Sequence, residues 1–140
     1  MKTLEEIGAL VKSSFSGETA TFHPCAFFDE RLDCIRVIAR DCSVVEERVN
    51  DRVTVLMDSY YPHPGRKQYV GFTVKGARHF CKQHGWDTAR SIAMADFLDA
   101  VLASFPEIVV QWFIDIVAKP LVAEEKIDRV ELPDGIPESA

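Results

Sequence analysis

His23 and Cys25 stand two residues apart, His79 and Cys81 repeat that spacing, and His84 follows Cys81 by three. Imidazole and thiolate are the ligands zinc prefers, and a helix would turn Cys81 and His84 to one face. The chain nevertheless lacks any Cys-x-x-Cys knuckle, and on an amphipathic helix Cys81 and His84 have a plain place on the apolar side. No metal or cofactor is therefore expected, with His23, Cys25, Cys81 and His84 as the alternative ligand set. The same residues could make a Cys/His nucleophilic dyad, but no local signature marks a thiolate. Asp29, Glu30 and Asp33 cluster in a turn where carboxylates could bind a cation or trade protons; turn acids are ordinarily just solvated. There is no phosphate-binding Gly-rich loop and no His-Glu-x-x-His, and Gly65 is a lone turn glycine. A binding or regulatory role is expected ahead of catalysis, the alternative being a small enzyme or metalloprotein that uses the His/Cys pairs.

A second feature is electrostatic. From Ser59 to Trp86 the chain has no Asp or Glu, while Arg66, Lys67, Lys75, Arg78 and Lys82 give the stretch a charge of +5; the whole chain is at −6, so the remainder carries −11. Tyr60, Tyr61, His63, Arg66 and Lys67 would share a hairpin tip, and Lys75, Arg78, His79 and Lys82 would line one side of the following helix. Basic groups interleaved with stacking rings suit an anionic ligand, a nucleic acid or an acidic protein partner. With a net charge of −6, nucleic-acid affinity would be weak, because it follows the number of phosphates neutralised.

These groups must be positioned by elements that the pattern also predicts. At 140 residues, 47% apolar and 27% charged, the composition fits one globular domain of α+β class. Thr3 and Glu6 form a capping box, and Leu4, Ile7, Leu10, Val11 and Phe15 repeat at helical spacing, so an N-terminal helix is predicted over 1–18. Residues 19–74 break into about five short runs rich in β-branched and aromatic residues. Their connections are too short for parallel crossovers, which predicts an antiparallel meander with a tight turn at Asn50 and Asp51. Alternation places Ile35, Val37 and Ala39 on the core face. Arg36, Arg40, Glu46 and Arg48 fall opposite, where cross-strand ion pairs are expected.

The runs FFDERLDCIRV, SVVEERVNDRVTVLMD and YVGFTVKGA, over about residues 27–77, resemble a family of small bacterial β-meander domains of unknown function, sometimes encoded near toxin-antitoxin genes. Phe28, Asp29, Asp33, Ile35, Glu46 or Glu47, Asp51, Val70, Gly71 and Val74 occupy the positions of its pattern. Cys34 stands where a longer aliphatic is usual, and YYPHPGRK replaces an acidic turn. The resemblance implies a meander and carries no activity.

About three helices are predicted over 75–120, with an extended tail over 121–140. Gly85 suits a left-handed cap for the first helix, with Trp86 folding back on it. Asp87 offers an N-cap for the second, while Ser104 and Glu107, with Pro106, offer a capping box for the third, which Pro120 should end. That third helix is polar only at Glu107, Gln111, Asp115 and Lys119. Its apolar circumference predicts a homodimer through Val109, Trp112, Phe113, Ile116 and Val117. The N-terminus lacks a signal-peptide core, and the longest apolar run is too short to span a bilayer. A cytoplasmic protein with no membrane partner and four reduced cysteines is expected.

Overall fold

The computed structural model describes residues 22–60 and 68–133. The helix predicted over 1–18, and Tyr61, His63, Arg66 and Lys67 of the hairpin tip, lie outside the described residues. The fold is α+β. Strands β1 (Cys25–Asp29), β2 (Cys34–Ile38), β3 (Val44–Arg48), β4 (Val53–Asp58) and β5 (Tyr69–Lys75) precede helix α1 (Ala77–Gln83). Then come β6 (Ser91–Ala93), α2 (Met94–Ser104), α3 (Ile108–Phe113), a π-helical turn (Ile114–Ala118), α4 (Lys119–Glu124) and β7 (Arg129–Glu131).

The strands make one mixed sheet in the order β3-β4-β5-β2-β1-β7-β6. The predicted meander is thus corrected in two ways. β2 pairs with β5 and not with its sequence neighbour β3, and two further strands lengthen the sheet, β7 lying parallel to β1. Residues 39–43 do not reverse the chain between adjacent strands. They carry it past β5 and β4 to the sheet edge, so a short connection here marks a change of position and not a hairpin. Both new strands are three residues long, too short to show alternation. By sequence pattern β6 falls at the start of the predicted second helix and β7 in the predicted tail. Val130 is fully buried in β7, and the Leu132 amide donates to the Arg90 carbonyl at 2.8 Å. The predicted tail over 121–140 is corrected accordingly: its first residues finish α4 and its middle completes the sheet.

One sheet face carries the core. Register places Ala26 and Phe28 of β1 beside Val37 and Ile35 of β2, and these beside Phe72 and Val74 of β5, with Val55 and Val53 of β4 next. All are buried in one cluster with Phe97, Val101, Val110, Phe113 and Ile114 of the helices. Phe72 lies at its centre, 5.3 Å from the Phe113 ring edge-on and 6.4 Å from a nearly parallel Phe97. On the other face Arg36 makes the expected cross-strand pair, with Asp29 at 4.0 Å; at the strand ends Arg40 pairs with Asp58 at 3.9 Å, and Arg48 pairs within its own turn, with Asp51 three residues on at 3.6 Å. Glu46 takes no part in these.

Caps and breaks follow local chemistry. Asn50 Oδ1 accepts the Arg52 and Val53 amides at 2.8 and 2.7 Å and closes the β3–β4 turn. Gly85 takes φ +73, and the amides of Gly85 and Trp86 donate to the carbonyls of Lys82 and Cys81, which ends α1 as its glycine predicts. Other caps differ from expectation. α2 starts at Met94 instead of after Asp87, because residues 91–93 are used as strand. Ser104 ends α2 and binds His84 instead of capping α3, whose first turn follows Glu107 without a side-chain cap. Pro120 does not end the third helix either: residues 108–124 run on in helical conformation through the π turn. Within that turn the Lys119 amide reaches back five residues to the Ile114 carbonyl. The wider turn makes room for a ring that has no amide to offer its carbonyl four residues back. Among the described residues, no helix is long and apolar enough to cross a membrane.

Candidate functional site

Lys75 is the last residue of β5, and His79 stands in the first turn of α1. What joins them is Gly76, which takes φ +70, a left-handed conformation that glycine adopts without strain. Its amide donates to the Asp33 carbonyl at 2.9 Å, as does that of Ala77 at 3.0 Å. Asp33, itself at φ +49, also takes the Arg78 amide on Oδ1 at 2.9 Å. One turn aspartate thus fixes the start of α1. Asp29, four residues earlier, accepts the Arg31 and Leu32 amides on Oδ1 and shapes the same turn. These turn acids, expected to be merely solvated, hold backbone in place.

Arg52 enters from the β3–β4 turn. Its carbonyl accepts the Lys75 amide at 2.8 Å, and its guanidinium lies so close over the bare Gly76 backbone that a Cβ there would collide with Nη1. Arg52, Lys75, Gly76, His79 and Gln83 line one small cleft, with Ser104 and Phe105 at its back, of about 170 Å³. None of its lining residues is acidic. Three cationic or proton-binding side chains therefore meet in one place, and Gln83 and Ser104 add neutral hydrogen-bonding groups.

The sequence-predicted basic surface is only partly gathered. Lys75 and His79 belong to the cleft. Arg78 does not: its guanidinium pairs with Asp33 at 3.7 Å and donates to the Glu30 carbonyl at 3.0 Å, so it braces the β1–β2 turn against α1. Lys82 is exposed outside the lining. Tyr60 is 80% exposed but sits beyond the far end of β4. Since β5 separates its Tyr69 end from Lys75 by six residue steps, that is roughly 20 Å away. One surface uniting Tyr60 with Lys75 is corrected to two ends of a hairpin. Arg52, Gln83 and Ser104 were missed. Only the register of β4 on β5 could have pointed to Arg52, because pairing Val53 with Val74 sets Arg52 beside Lys75.

The alternative metal residues are dispersed in role. Cys81 is fully buried, and His84 Nε2 lies 2.9 Å from Ser104 Oγ while its ring packs on Phe80 and Trp86. Among the described residues, no three His, Cys, Asp or Glu side chains gather to hold a metal ion. All four cysteines are free thiols. Burial raises the pKa of each, and that of Cys81 is pushed up to about 12 by burial, with the charges of Asp33 and Asp87 adding to it. None has the lowered value of an activated nucleophile. An unfolded thiol ionises near 8.5, so the Cys81 contribution to stability is complete below about that pH and is lost as pH rises from there toward 12. Urea unfolding from pH 8 to 11 is expected to show falling stability, and Cys81→Ala a flatter profile. Thiol labelling of the native protein should reach half-buried Cys25 and Cys42 before Cys34 and Cys81.

Compared with protein-family models, curated proteins and solved structures, the chain matches none.

Proposed function

We propose that the protein is a binding module for an anionic ligand, and that the Arg52–Lys75–His79 cleft receives one phosphate-sized group. The observation that carries this reading is the convergence of these side chains on a cleft without a carboxylate, in a chain with six more acidic than basic residues. Charges of one sign so close together repel, and an anion relieves that repulsion. Drug-sized ligands occupy pockets of roughly 300 Å³ upward, so about 170 Å³ fits a single phosphate or carboxylate, or one such group projecting from a larger partner. Arginine supplies a planar fork for such a group, and lysine a mobile point charge.

Isothermal titration with inorganic phosphate and with pyrophosphate tests the reading. Binding that weakens with added chloride is expected, and Arg52→Ala with Lys75→Ala should weaken it at least tenfold. Both side chains are exposed, so the fold should survive. Gly76→Ala is expected to act at a distance from the charge itself: the new methyl group displaces the Arg52 guanidinium, and phosphate affinity falls although every basic residue remains. A wild-type protein that ignores phosphate, or a double variant that binds as well as wild type, overturns the assignment. Tighter binding of single-stranded nucleic acid, lost with the same two substitutions, would identify the larger partner as a phosphodiester backbone.

A further inference from the structure

The helix over 108–124 has two sides of different character. Val110, Phe113, Ile114, Val117 and Ala118 are buried against the sheet, so Phe113 and Val117, expected at a dimer interface, belong to the core of a single chain. The outward side bears Ile108, Trp112 and Ile116 at intervals of four, exposed by 86, 54 and 55%. Val109 widens this ridge toward the edge strand β3, where Val45 is half exposed on the same side of the sheet. Beside the ridge runs a polar row, Glu107, Gln111, Asp115 and Lys119, again at intervals of four. Glu107 is held by Asn50 Nδ2 at 3.2 and 3.5 Å, and Lys119 pairs with Asp115 at 3.4 Å.

We infer that this face binds a second copy of the chain, with the two helices antiparallel and Trp112 at the two-fold axis. A two-fold normal to the helices sets each row against itself in reverse order. With Trp112 on the axis, Ile108 meets the partner's Ile116 and Trp112 meets its own twin, while the polar row is centred one residue further on, so that Glu107 falls between the partner's Asp115 and the partner's Lys119. The charge contact this arrangement favours is between Glu107 and the partner's Lys119. A parallel pair, related by a two-fold along the helices, would put the two polar rows on opposite sides of the ridge and leave this contact unmade.

Shape and area agree with this arrangement. Grooves of about 180 and 240 Å³ open along one side of the ridge and share Tyr69 in their lining, the first with Val49 and Trp112 and the second with Arg40, Ile116 and Pro120. A cavity of about 150 Å³ already holds a benzene-sized group, so each groove can take one bulky side chain of the partner. Five exposed side chains of this size cover on the order of 500 Å² per protomer, or roughly 1,000 Å² together, the threshold for a specific interface. Strand addition along β3 is a poorer route, because its edge carries Glu46, Glu47 and Arg48, all exposed.

Analytical ultracentrifugation of the full chain tests the proposal. A dimer at tens of micromolar is expected, and Trp112→Glu should raise the dissociation constant on the order of a hundredfold, as loss of a central aromatic anchor does. Far-ultraviolet dichroism checks that this variant is folded. Geometry is read by cross-linking: a mixture of Ile108→Cys and Ile116→Cys chains should form disulfide-linked pairs on oxidation. Ile108→Cys alone should not, since the twins lie about 12 Å apart along the helix axis. A monomeric wild type, a dimer indifferent to Trp112→Glu, or efficient self-linking of Ile108→Cys overturns the inference; in the first case the face is left for a different partner.

Discussion

Phe72→Ala is expected to cost about 4 kcal/mol, within the range for emptying a packed aromatic site in a core. The ring is fully buried and lies between two others, Phe97 from α2 and Phe113 from α3. Its backbone neighbours across the sheet are Val37 on one side and Val55 on the other, so no flexible surface element can fall into the vacancy. Such a loss is a large share of the 5–15 kcal/mol that typically holds a domain folded. Urea denaturation should show a much lower midpoint, and Trp112, far out on the exposed side of the same helix, should report the same transition as the backbone. A cost under about 1.5 kcal/mol would mean that the helices close over the gap and that this aromatic contact does not fasten them to the sheet. The consequence reaches the cleft, because β5 carries both Phe72 and Lys75.

What the sequence made legible was set by the length and regularity of each signal. Alternation in β2 placed Ile35, Val37 and Ala39 in the core, and all three are buried. Glycine and asparagine announced the turns at Gly85 and Asn50 because their conformational needs are local. Strand order is not local. Nothing in residues 39–43 says that the next strand lies three positions away, since β3 is exposed at every residue and could serve as an edge anywhere. β6 and β7 escaped notice because three residues cannot display a period, and because Arg129 and Glu131 flank the single buried Val130. For the long helix the apolar content was right but its use was divided: a stripe that seemed to need a partner on all sides spends Phe113 and Val117 on its own sheet and leaves only Ile108, Val109, Trp112 and Ile116 outside.

The candidate site was half legible for a related reason. A deficit of acids between residues 59 and 86 drew attention to Lys75 and His79, but charge along a sequence does not say which cations are already spoken for. Arg78, which the sequence places in the same basic row, is occupied by Asp33 and the Glu30 carbonyl. Arg52 lay outside the stretch, next to Asp51 in a turn with a mixed charge pattern, and only sheet register brings it to Lys75. Pairwise strand alignment, and not composition, was the missing information.

That dependence on register leads to the second large effect. Gly71→Ala is expected to cost about 3 kcal/mol or more, at the upper end of what overpacking usually does. The cause is space rather than backbone conformation. A Cβ at Gly71 would be driven into the Val37 carbonyl oxygen, with the Val37 carbonyl carbon and the Ile38 Cα at 3.2 and 3.3 Å behind it. All three are backbone atoms of β2, so relief requires β2 and β5 to move apart at the middle of the seven-stranded sheet. A neighbouring bond, Ala39 amide to Val70 carbonyl at 2.7 Å, would be strained by the same movement. Gly85→Ala supplies the comparison. It meets no atom within 4 Å but must hold φ +73, so it should cost only about 1 kcal/mol, the price of a side chain in the left-handed region. Thermal and urea unfolding of the two variants should therefore separate clearly, and hydrogen exchange should place the loosening in β2 and β5 for Gly71→Ala and at the end of α1 for Gly85→Ala. Equal losses from the two would show that β2 and β5 can part freely. In that event Lys75, four residues further along β5, would no longer have a rigid strand to hold it against Arg52.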